Sequence, residues 1–330
     1  MKSITKKVCL LAALVTLAAS SFVSAADGKP VAVADAAWEN AQKASTRNVS
    51  FVLKNLINPF CVTVNNGALQ AAKDFNLNLT ILTPLQGDNN EELMQLAEQA
   101  VASGECDVLV MFPSDSVGII PAIEMTVDAG IPVVMLNTNI RHDEMIYETF
   151  VAAENWEVGR SIGEALANKM GYKGKVILIE GVPGAQNSID RIGGAAEVIK
   201  SYPNMEIVAS QPGLLNRATA MEVFQNLLQS HSDVQGVFAM NDEMALGCIE
   251  AIQAAGRAGQ IIVAGCDGNV DARTAIKEGK LTLTCDLVPF DQGYQAVAAA
   301  AKILDGERLP AMIVTKMKVI DINNIDDTAN

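Results

Sequence analysis

Two similar open α/β lobes in succession, joined by a multi-strand hinge, are expected from three observations. Short apolar runs rich in β-branched residues recur, separated by stretches with apolar positions at helical spacing. Such continuous apolar strands belong to parallel sheets covered on both faces. The alternation passes through about four strand–helix units, breaks near Glu144–Ala153 and starts again, which suits two open sheets better than one closed barrel. Finally, 330 residues with 50% hydrophobic and 19% charged side chains suffice for two cores and exclude a disordered chain.

Residues 1–25 read as an export signal: Lys2, Lys6 and Lys7, then the apolar run Val8 to Ala19, then the small-residue site Val23-Ser24-Ala25. The run is too short to span a bilayer, and Cys9 stands before it, where lipid attachment is not expected. Cleavage after Ala25 removes three lysines and takes the net charge from −14 to −17. Residues 26–47 form an alanine-rich extension with a short helix around Trp38. Strand patterns follow at Val49–Leu53, Leu79–Leu82, Asp107–Phe112, Pro132–Leu136, Lys175–Glu180, Glu206–Ser210, Gly236–Met240 and Ile261–Cys266. Helical spacing between them is carried by Val64, Ala68 and Ala72, by Leu93, Ala97 and Ala100, and by Met221, Phe224 and Leu228. The tail departs from this pattern with a strand at Lys280–Asp286, a helix at Phe290–Leu304 and a strand at Ile313–Ile320. It can return to the first lobe and cross back, making a hinge. The expected division is 48–151 with 288–314 for the first lobe and 152–287 with 315–330 for the second.

Acidic residues outnumber basic ones 38 to 24, so no nucleic-acid partner is expected. The only histidines, His142 and His231, lie far apart in the chain and cannot make a multi-histidine metal site. Past residue 25 there are five cysteines: Cys61, Cys106, Cys248, Cys266 and Cys285. An odd number leaves one unpaired in an oxidising compartment, and a Cys266–Cys285 bridge is one option because both close neighbouring strand patterns. No CxxC, P-loop, GxSxG or GxGxxG after the first strand is present.

In open α/β sheets, ligands meet the loops at strand carboxyl ends. The first such loop carries Lys54, Asn58, Pro59 and Phe60; Asn58 with Pro59 reads as a helix cap, while Phe60 offers a flat face for a sugar ring. Asn137 and Thr138 follow Pro132–Leu136, where a plain turn is an equal reading. Asn187 and Arg191 follow Lys175–Glu180, either Asn241 or Asp242 caps the helix after Met240, and Asp267-Gly268 ends another apolar strand. These amides, carboxylates and single arginine can fix hydroxyls without transferring anything.

Asn58-Pro59-Phe60, Asn187 to Arg191, Val234 to Gly247 and Gly265 to Gly268 together resemble type I periplasmic sugar-binding proteins, in particular the ribose-binding group, over residues 48–322. Repressors of the LacI type share this core but are cytoplasmic and carry an N-terminal DNA-reading helix pair. The resemblance implies a two-lobed, monomeric periplasmic receptor that closes on a monosaccharide, polyol or cyclitol and hands it to the membrane permease of an ABC importer, with no cofactor. It implies ligand contacts at Lys54, Asn58, Phe60, Cys61, Asn137, Thr138, Asn187, Arg191, Asn241, Asp267 and Asp286. The chain departs from the ribose binders at Asn137-Thr138, at Lys54, and at Leu215, Cys61 and Cys266 where aromatics stand, which implies a roomier pocket. Lys54 then faces an anionic substituent or Asp286. Two other outcomes stay open: a co-receptor for sugar sensing, and an exported carbohydrate enzyme using Asp267 with Asp286.

Overall fold

Apolar runs become central strands here because both faces are covered. The computed structural model describes residues 31–44 and 46–326; the expected export signal lies outside the described residues. Helix α1 (Val31–Ala41) precedes β1 (Asn48–Leu53), α2 (Pro59–Asp74), β2 (Asn78–Leu82), α3 (Asn90–Ala102), β3 (Val108–Phe112), α4 (Ile120–Asp128), β4 (Val133–Leu136) and β5 (Thr149–Ala152). The chain continues through α5 (Asn155–Lys169), β6 (Gly174–Glu180), α6 (Gln186–Ser201), β7 (Met205–Pro212), α7 (Arg217–Ser230), β8 (Gly236–Ala239), α8 (Asp242–Ala254), β9 (Ile262–Ala264), α9 (Val270–Lys277) and β10 (Leu283–Asp286). It closes with α10 (Pro289–Leu304), β11 (Met312–Val314) and β12 (Lys318–Asp321).

One six-stranded sheet has the order β11-β5-β4-β3-β1-β2 and the other β12-β10-β9-β8-β6-β7. All pairings in the first are parallel. In the second only β12 runs antiparallel, against β10. Three links pass between the sheets: β5 to α5, β10 to α10, and β11 to β12. Helix α10 follows second-sheet strands yet packs on α2 and the first sheet, where its alanines are buried.

Two strand expectations change. The break near Glu144–Ala153 contains β5, whose four residues are all buried; a strand that short after a polar loop leaves little pattern. Ile313–Ile320 is not one strand, because Thr315-Lys316-Met317 separates β11 in the first sheet from β12 in the second. The cysteine bridge is also not formed. All five thiols are free and buried, although the register pairing Ala264 with Leu283 and Asp267 with Asp286 sets Cys266 beside Cys285. The Cys285 thiol lies 3.7 Å from Met317 Sδ. Burial pushes the Cys266 thiol well above its ordinary range, so it stays protonated.

Candidate functional site

The carboxyl ends of β1, β3, β4, β8 and β9, with the start of α6, meet around one small cavity between the sheets. Lys54 is the first residue past β1 and is buried. Its ammonium sits 3.6 Å from Asp88 Oδ1 and 4.9 Å over the Phe112 ring, so its acidic neighbour within the chain is Asp88 and not Asp286, one of the two partners expected. Asn58 caps α2 by accepting from Phe60 N at 2.9 Å, with Pro59 as the first helical residue, as the sequence suggests. This fixes Phe60 edge-on to Phe112, with centroids 6.4 Å apart and planes at 76°. Cys61 also lines the cavity, and burial pushes its thiol up to about 12, leaving a small apolar wall.

Asn137 follows β4 at φ 60°, a conformation asparagine tolerates better than most residues. It donates to Gln292 Oε1 at 2.9 Å, and its own oxygen accepts from Asn187 Nδ2 at 3.0 Å across the cleft. Arg191 lies almost wholly inside, its Nε donating to Asn155 Oδ1 at 2.9 Å and its Nη1 3.8 Å from Asp267 Oδ1. Between Asn241 and Asp242, the cap is Asn241, which accepts from Met244 N at 2.9 Å. Asp242 turns away from the cavity, accepting from Thr284 Oγ1 at 2.6 Å and Asn269 N at 2.8 Å. That ties the loop carrying Asp267 to α8 and β10. Burial pushes the Asp242 carboxyl up to about 7.

Asp267 stands at φ 132°, a backbone region that favours glycine, and is strapped to β10 by its N–H to Cys285 O at 2.8 Å. Burial, with Cys266 and Asp242 nearby, pushes its carboxyl well above the ordinary range, and the Arg191 guanidinium opposes this. A ligand hydroxyl donating there replaces solvation that burial removed.

Two expected contacts are not on the cavity wall. Thr138 is buried but does not line the cavity, and its N–H closes a tight turn onto Leu136 O at 2.6 Å. Asp286 is held by Arg273 Nη2 at 2.7 Å and by Val288 N at 2.8 Å, and so serves the hinge backbone. Leu215, expected at the pocket in place of an aromatic, does line the cavity, and Phe112 and Met240 line it without having been expected to; each of these two ends a strand pattern, a signal the strand-end rule could have used. The cavity encloses about 20 Å³, space for about one water, and the lobes are linked across it by the Asn187–Asn137 hydrogen bond and by a second one, from Gln186 N to Ser116 Oγ at 2.8 Å.

Opposed sheets whose strand ends converge on buried amides, one carboxylate and two cations define a two-lobed cleft receptor. The chain belongs to the periplasmic binding protein domain family, which matches residues 49–308, and within it to the type I periplasmic sugar-binding proteins. It is 33% identical to the ribose import binding protein of Escherichia coli K12, over 88% of this chain and 95% of that protein. It is 30% identical to the D-allose-binding periplasmic protein of the same organism, over 82% and 89%. Among solved structures it resembles a periplasmic solute-binding protein of Actinobacillus succinogenes with bound D-allose, with TM-score 0.81, 30% identity and coverage of 86% and 100%. A Bacillus halodurans solute-binding protein with bound myo-inositol gives TM-score 0.79, 25% identity and coverage of 86% and 98%.

Proposed function

We propose that the chain is the periplasmic solute-binding component of an ABC-type importer, taking a monosaccharide, polyol or cyclitol by cleft closure and presenting it to a membrane permease as a monomer. The observation that carries this reading is the convergence of Lys54, Asn58, Phe60 and Asn137 from one sheet with Asn187, Arg191, Asn241 and Asp267 from the other. The relatives named for ribose and allose, and the neighbours holding allose and myo-inositol, support the ligand class.

The mechanism is conformational. A sugar resting on Phe60 with its hydroxyls toward Lys54 and Asn58 meets Arg191, Asn241 and Asp267 only when the second lobe arrives. Contacts made only in the closed state shift the equilibrium toward it. Isothermal titration with D-ribose, D-allose, L-arabinose and myo-inositol should give saturable one-to-one binding for at least one of them, with proton NMR showing the ligand unchanged. Absence of binding across this set and a wider panel of sugars and polyols would overturn the reading; turnover would favour the enzyme alternative.

A further inference from the structure

We propose that the cleft carries a second carbohydrate subsite at its mouth, so that a monosaccharide bearing a glycosidic substituent binds more tightly than the same sugar bare. This rests on reading the inner cavity as a sugar site.

Beyond the inner cavity, a larger half-open groove of about 430 Å³ lies between the two lobes. That volume falls within the roughly 300–1,000 Å³ usual for small-molecule pockets, whereas the inner space holds about one water. Asn58 and Leu215 line both spaces and form the neck between them. A substituent on the inner sugar that points past Leu215 therefore enters the outer groove without leaving the cleft.

The outer walls have the mixed character that a sugar ring needs. Ile57, 81% exposed, and Leu214, 48% exposed, present apolar surface from opposite lobes to a ring's C–H face. Asn58 and Asn216 each commit a side-chain oxygen to capping a helix, which leaves the amide NH₂ as the group that can donate. Asp88 brings a buried Oδ1 with no hydrogen-bond partner; the Lys54 ammonium, at 3.6 Å, is too far for one. The neck wall is held in a costly backbone, with Leu214 and Leu215 both at φ 56°.

The experiment titrates D-ribose, D-allose and D-galactose, each beside its methyl β-glycoside, together with lactose and melibiose. At least one glycoside or disaccharide is expected to bind ten times more tightly than its parent sugar. Ile57→Asp and Leu214→Asp, at exposed positions on opposite walls of the outer groove, remove its apolar surface and should abolish that advantage while leaving the parent sugar within twofold. The proposal is overturned if a parent sugar binds while no glycosylated form binds more tightly, or if both aspartate variants leave the glycoside advantage unchanged. Failure of every sugar and polyol, glycosylated or not, would sink the proposed function along with it, so the two failures are distinguishable.

Discussion

Asp267 and Asp242 are neighbouring buried acids with different duties. Asp267 faces the cavity opposite Arg191, and a hydroxyl bond to its carboxylate contributes about 1.5–3 kcal/mol. Asp267→Ala should therefore weaken ligand binding about 10- to 150-fold with the circular-dichroism spectrum unchanged; equal affinity in calorimetry would remove Asp267 from the site. Because the acceptor must be ionised while burial holds its carboxyl high, affinity should also fall on acidification in wild-type titrations. Asp242 acts on stability instead. Its carboxyl titrates near 7 in the folded chain and near 3.8 when exposed, so folding takes up a proton between those values. Stability attributable to this group is then present at low pH and lost as pH rises through the window. Urea midpoints should show the wild type losing stability relative to Asp242→Asn between pH 4 and pH 7.5, whereas parallel profiles would clear Asp242 of this role.

At the level of elements, helices α5 and α6 approach so closely that a Cβ at Gly159 would run into the Arg191 carbonyl oxygen. Gly159→Ala must push α6 outward and carry Arg191 with it. A loss of about 1–3 kcal/mol in stability is expected from overpacking, together with weaker ligand binding; a variant destabilised but binding normally would show that Arg191 is placed by other contacts. The same elements show what the sequence discloses. β3, with every residue buried, announces itself as an unbroken apolar run, and the Asn58-Pro59 cap is local chemistry. Membership of a sheet is not local, so β11 and β12 merge into one pattern although they belong to different sheets. Site residues at strand ends were legible for the same reason as the strands. The Lys54–Asp88 approach and the Arg273 hold on Asp286 arise only from tertiary placement, and residue types alone cannot reveal which carboxylate a cation meets.

Across the whole molecule, Asn187 spans the cleft to Asn137, so the closed arrangement has hydrogen bonds of its own before any ligand arrives. Asn187→Ala should enlarge the radius of gyration of the ligand-free protein in small-angle scattering, and identical curves would mean this bond does not bias the equilibrium. The path of the chain has another consequence. Strand β11 of the first sheet lies at Met312–Val314, after every strand of the second sheet except β12. The first sheet, begun earlier in synthesis, therefore waits until β6 to β10 of the second have been made before its layer is complete. A fragment ending at Ala152 would lack α10 and leave the apolar face of α2 bare, and trimming the tail damages the beginning of the protein as much as its end.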